Sequence, residues 1–313
     1  MNTAPDHAAD TTCLEQRSGN GWRPMPPPVA PEPTANGQAR PHGSGASPAR
    51  IVLDGVELAL AAPDGHEAVW IDYGDYALQL EAAWLRLSDA EPPLNPRLIG
   101  APGLGKTTLA RAVGGRGGRD VYTFQCTMDT RPDDLLVTPV LADDQRVEYR
   151  ASAVVTAMLR GGALLLDEGN RMPERSWASL APLLDDRRCV ESAVTGLRIS
   201  AHPDFRLCVT MNDDDSVYDL PGYIQSRLKP KIEILDPPPE VWAEIVRRKC
   251  PAVDEDLLEA TLAELKRRAR RGEHDSIRDM LTVARYAQSL RRAGGPEPLP
   301  RAARQVLGRK KGL

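Results

Sequence analysis

Apolar positions along the chain fall in short blocks whose spacing changes character twice. Ile51–Leu53 and Val56–Leu60 flank Asp54-Gly55, which predicts a hairpin, because an Asp-Gly pair accepts the positive φ of a two-residue turn. Tyr76, Leu80, Ala83, Trp84 and Leu87 then recur at helical spacing. From Asn95 the order becomes strand, glycine loop, helix, strand. Arg97–Ile99, Val121–Cys126, Ala163–Leu166 and Arg206–Met211 are apolar runs short enough for buried parallel strands, and Ser152–Leu159 reads as a helix. This alternation predicts an α/β fold, a parallel sheet with helices on both faces. After a last strand-like run, Ile232–Leu235, the triplet Pro237–Pro239 ends the alternation. Helical periods follow at about 240–249, 255–270 and 276–290.

The first 50 residues hold nine of the 28 prolines, five of the 25 glycines and few large aliphatics. A segment of that composition buries too little apolar surface to offset its ordering entropy, so it reads as a disordered tail. The expected organisation is therefore a tail over 1–50, a hairpin and helix over 51–94, an α/β core over 95–235 and a helical unit over 236–313.

Charge sharpens that division. The whole chain of 313 residues carries a net −4, yet residues 240–313 carry 17 basic and 11 acidic side chains. A basic helical module can grip nucleic acid, but here acids are interleaved around the helices, which favours solvated faces. Five cysteines, Cys13, Cys126, Cys189, Cys208 and Cys250, lie far apart with no C-x-x-C pair, which argues against a disulfide framework and for a reducing, cytoplasmic setting. The five histidines show no ligand spacing. No apolar run approaches the roughly 18 residues of a membrane span.

The chemistry concentrates at three strand ends. Gly100-Ala101-Pro102-Gly103-Leu104-Gly105-Lys106-Thr107 fits G-x-x-x-x-G-K-[ST] and is followed by Thr108. Such a loop turns its backbone N–H groups around a polyphosphate, Lys106 reaches the β- and γ-phosphates, and the Thr107 hydroxyl ligates Mg²⁺. The strand Ala163–Leu166 ends in Asp167-Glu168; the first acid suits the Mg²⁺ shell and the second a general base acting on water. The strand Phe205–Met211 ends at Asn212, whose amide suits either the attacking water or the γ-phosphate.

Together, GAPGLGKTT, LLLDEGNR, VTMN and SRLKPKIEI resemble the AAA+ ATPases, specifically their MoxR and dynein-related branch, over about residues 95–290. The resemblance implies a P-loop αβα core with a C-terminal helical lid, binding of ATP and Mg²⁺, and assembly into a homo-oligomeric ring, usually a hexamer. It further implies that Asn212 is the first sensor, Arg227 the arginine finger that reaches the neighbour's ATP, and Arg278 the second sensor on the lid. Residues 134–150 resemble the hairpin this branch inserts in helix 2, and Cys189–Ser200 its second hairpin. Ala101 stands where the loop often has Pro, and Gly169 where Ile commonly follows the acids. Arg171, just after those acids, is a further candidate to face a neighbour.

The implied activity is ATP hydrolysis that remodels a protein client, as in MoxR-type chaperones paired with von Willebrand factor A proteins. A nucleic-acid-linked NTPase motor would need a DNA-binding module, against which the acidic core argues. A conformational switch with little turnover is opposed by the presence of Glu168, and a small-molecule kinase by the acid pair with its downstream Asn212.

Overall fold

A computed structural model describes residues 15–18, 21–24, 49–65, 68–88, 91–142, 145–213, 220–273 and 275–308. Glu15–Ser18 (β1) and Gly21–Pro24 (β2) pair antiparallel, inside the stretch whose composition suggested no order. Ala49 and Arg50, at the end of that stretch, lead into the next strand, and the rest of the tail reading lies outside the described residues.

Arg97–Gly100 (β5), Val121–Gln125 (β6), Ala163–Asp167 (β9), Arg206–Asn212 (β12) and Lys231–Glu233 (β13) form the central sheet, all parallel, in the order β13-β5-β12-β9-β6. Its strands are apolar on both faces, as a sheet covered on two sides must be. Along β9 and β12, Leu164, Leu166, Leu207 and Val209 face one core with Ala153–Arg160 (α3) and Glu174–Leu180 (α4). Ala163, Leu165 and Cys208 face the other, packed by Tyr76–Trp84 (α1) and Lys106–Gly114 (α2). Local chemistry fixes the helix ends: the Ser152 hydroxyl accepts from the Val155 amide at 3.1 Å to start α3, and Gly161, at φ 68°, stops it.

Two elements joined only by folding make a second sheet. The Asp54-Gly55 hairpin exists as expected, from Arg50–Leu53 (β3) and Val56–Ala59 (β4), with φ of 46° and 83° in its turn. Val137–Leu141 (β7) and Val147–Ala151 (β8) form the inserted hairpin. Strand β4 runs parallel to β8, giving the order β3-β4-β8-β7. The smaller hairpin, Cys189–Glu191 (β10) with Arg198–Ser200 (β11), also forms where expected.

After the short helix Gly222–Gln225 (α5) and β13, the chain becomes wholly helical: Trp242–Lys249 (α6), Glu255–Arg270 (α7), Ile277–Arg292 (α8) and Pro298–Val306 (α9). Two expectations need correction. Helix α1 ends at Trp84 because Leu85 turns extended (φ −70°, ψ 129°), so Leu87 falls off the helical phase and is 81 % exposed. Helix α9, absent from the periodic reading, forms behind Gly294-Gly295 and seats Ala302 against α8, where it is fully buried. Among the described residues, no helix is long and apolar enough to cross a membrane.

Candidate functional site

The parallel register places the sequence motifs in one row. Gln125 pairs with Asp167 across β6 and β9, and Asn212 pairs with Gly100 across β12 and β5. All four lie at the carboxyl ends of adjacent strands, where ligands bind in open α/β sheets.

The glycine loop runs from β5 into α2. Gly105 caps α2 at φ 88°, and a Cβ there would come 3.2 Å from the Trp70 ring. Gly103, at φ 85°, sits so close to the start of α8 that a Cβ would lie 3.0 Å from Ser276 Oγ and 3.3 Å from Arg278 Cβ. Glycine is needed here for backbone angle and close approach together. Lys106 is buried, and its ammonium donates to the carbonyls of Gly100 and Ala101, each at 2.8 Å.

The acids are braced individually. Asp167 Oδ1 accepts from the Thr107 hydroxyl at 2.8 Å and also from Thr210. Glu168 has left-handed backbone angles (φ 56°, ψ 44°), which turn the chain sharply out of β9. Its carboxylate accepts from Asn212 Nδ2 at 3.2 Å and Gln125 Nε2 at 3.1 Å, and pairs with Arg171 Nε at 3.0 Å. Asn170 donates to the Asn212 carbonyl at 2.9 Å, and the Trp177 indole to the Gly169 carbonyl at 3.2 Å. A Cβ on Gly169 would lie 2.4 Å from Val209 Cγ1, so the glycine makes room for this packing. Burial, reinforced by Asp167 and then Glu168, pushes the neighbouring Cys126 thiol up to about 12.

These groups open into a cleft of about 450 Å³ that also takes in Pro102–Thr108, Arg171 and Arg278. Its remaining walls carry no sequence motif. Val69, Trp70, Ile71 and Tyr73 come from the stretch before α1, and Ile245, Lys249, Ile277 and Leu281 come from α6 and α8. Trp70 and Tyr73 meet with ring centroids 5.5 Å apart and planes tilted by 37°. Thr210 in the wall and Gln125, which meets Glu168 from β6, are likewise additions, although each is legible in retrospect: Thr210 lies two residues before Asn212 and so on the same face of β12, and Gln125 is the last polar residue of its strand.

Arg227 stands apart from the cleft. Its guanidinium donates to the Tyr223 carbonyl at 2.7 Å and lies 3.4 Å from Asp185 Oδ2. The Asp185 carboxyl is held at about 2, chiefly by the Arg187 hydrogen bond and further by Arg227. Loop amides, an ammonium, a hydroxyl and a strand-end carboxylate make a donor set suited to a polyphosphate with a hard cation.

The profile of the AAA domain (dynein-related subfamily) matches residues 97–228. NorQ of Paracoccus denitrificans is 30 % identical over 236 residues, covering 72 % of this chain and 81 % of NorQ. The chain belongs to the AAA+ ATPases, in their MoxR and dynein-related branch. CbbQ of Hydrogenophilus thermoluteolus is 28 % identical over 158 residues, and there this AAA+ chain spans little more than half of its relative, 56 %, with 48 % of itself. A RuvB variant of Thermotoga maritima shares the fold of this AAA+ protein, with a TM-score of 0.51 at 19 % identity over 76 % of this chain and 70 % of that one.

Proposed function

We propose that this chain hydrolyses ATP with Mg²⁺ at interfaces between its own copies, in a ring, and uses the resulting motion to remodel a protein client. The observation that carries the reading is the division of charge. Lys106, Thr107, Asp167, Glu168 and Asn212 converge on one cleft, while Arg227 lies outside it on the same chain.

In this reading the loop amides of Gly100–Gly105 and Lys106 hold the phosphates, and Thr108 closes the loop. Thr107 and Asp167 would hold Mg²⁺, which would offset phosphate charge when bound. Glu168 accepts the proton of the attacking water at its carboxylate, and Asn212 fixes that carboxylate and the water between them. Arg278, on the lid against Gly103, meets the phosphates as the lid closes. Arg227 serves the neighbouring cleft, where an arginine supplied across an interface is worth about 10³–10⁵ in rate. Residues 95–235 then act as the core and 236–313 as the lid. A hexamer and a von Willebrand factor A protein as partner accord with the family.

The test uses two variants. Glu168→Gln should bind ATP and release no phosphate; near-normal release would remove Glu168 as the base. Arg227→Ala mixed with Glu168→Gln should regain activity, because some interfaces pair an intact Glu168 with an intact Arg227. No recovery at any ratio, with assembly verified by light scattering, would reject a shared site. The Glu168→Gln protein held with ATP is also the bait of choice for the client.

A further inference from the structure

The two acids of the cleft are tied together by one hydroxyl. Thr210 is 1 % exposed on β12, and its Oγ1 donates to Asp167 Oδ1 while accepting the backbone N–H of Glu168 at 3.0 Å. The sheet explains why a side chain is needed there. The parallel ladder between β9 and β12 runs from Ala163↔Arg206 to Leu166↔Val209 and stops. The Glu168 amide therefore leaves the ladder as the chain turns left-handed, and a buried N–H requires a substitute acceptor. A hydroxyl has one hydrogen and two lone pairs, so it accepts from that amide and donates to the carboxylate beside it. Valine, of the same shape, does neither.

The consequence for Asp167 is directional. Thr107 and Thr210 both donate to Oδ1 of Asp167. One oxygen is thus held by two hydroxyls, which restrains the carboxylate where it lines the cleft.

We propose that Thr210 is a positioning residue that sets the metal-holding carboxylate of Asp167 and the left-handed turn of Glu168 at once. It acts through those two groups, to which its hydroxyl is bonded. This rests on the ATPase reading above and adds a residue to it.

The test compares Thr210→Val and Thr210→Ser with the unaltered chain. Binding of a fluorescent, slowly hydrolysed ATP analogue is measured with EDTA and with Mg²⁺, alongside ATP turnover. For Thr210→Val, metal-free affinity should stay within about twofold, the gain in affinity on adding Mg²⁺ should shrink at least about fivefold, and kcat should fall about 10- to 100-fold. Thr210→Ser should stay within about threefold of the unaltered chain in all three. If Thr210→Val does not fold, judged by lost metal-free binding, Thr210→Ala replaces it in the same comparison. A Val variant whose Mg²⁺ gain and kcat are unchanged overturns the proposal, as does a Ser variant that fails as badly as Val. Absence of nucleotide binding in the unaltered chain would instead overturn the ATPase reading.

Discussion

The Tyr73 phenol donates to the carbonyl of Leu235 at 3.0 Å, and the amide of that same residue donates to the Tyr76 phenol at 3.1 Å. Leu235 lies between the last core strand and α6, so two aromatic side chains hold both backbone polar groups of one linking residue. Tyr73 also lines the cleft and contacts Trp70, which packs on Gly105. The segment before α1 therefore joins the glycine loop to the link between the core sheet and the C-terminal helices.

Replacing both phenols by phenylalanine keeps the rings and removes both bonds. At about 1 kcal/mol each, the pair should speed amide exchange at Leu235 and Asp236 and weaken nucleotide binding about 5- to 30-fold. Unchanged exchange at Leu235 in Tyr73→Phe/Tyr76→Phe, followed by mass spectrometry, would show that the order of this link does not depend on them.

Gly169 is a packing requirement. Gly169→Ala places a methyl against Val209 and Trp177, and overpacking of a close-packed core costs about 1–3 kcal/mol. Urea unfolding should show that loss, and Val209→Ala in the same chain should recover part of it, a coupling that independent sites would not give.

Arg171 and Asn212 both meet the Glu168 carboxylate, but with unequal expected weight. The Arg171 pair is 44 % and 33 % exposed at its two side chains, so screening limits it to about 0.2–1 kcal/mol. Arg171→Ala should change steady-state ATP turnover by less than about fivefold, and Asn212→Ala should lower it about 10- to 100-fold. A thousandfold loss in Arg171→Ala would transfer the role of a charge-sensing arginine to that residue.

Cys126, Cys189, Cys208 and Cys250 are buried free thiols. Burial lifts Cys126 from an ordinary 9.0 to about 12, so the folded chain keeps this thiol protonated where the unfolded chain ionises. Its contribution to stability is complete below about pH 9 and declines as pH rises from there toward 12. The denaturation midpoint should fall between pH 9 and 11, less so in Cys126→Ala measured against its own neutral-pH value. Iodoacetamide at pH 8 should leave these four unmodified in the folded protein and label them in guanidinium.

The parts of the site that are legible in the sequence are those whose chemistry demands a residue type at a fixed interval. Gly103, Gly105 and Lys106 must follow one another closely to wrap a phosphate, and Asp167 and Glu168 must stand at a strand end. The aromatic wall is another matter, because Trp70 and Tyr73 reach the cleft through shape and through a hydrogen bond to Leu235, 162 residues from Tyr73. Helix α9 was hidden by its prolines at 298 and 300, which suit a first helical turn yet look like breakers in a linear reading. Leu87 misled in the opposite sense, since a period continues in letters after the backbone has left the helix.

The parallel pairing of β4 with β8 limits how the chain can be shortened. A version starting at Ala61 would keep every phosphate-handling group and still lose two strands of four, leaving β8 with one flank bare. An uncovered strand flank recruits other chains, so such a fragment should precipitate or associate irregularly, and its sluggishness would be misread as a failing of the catalytic apparatus.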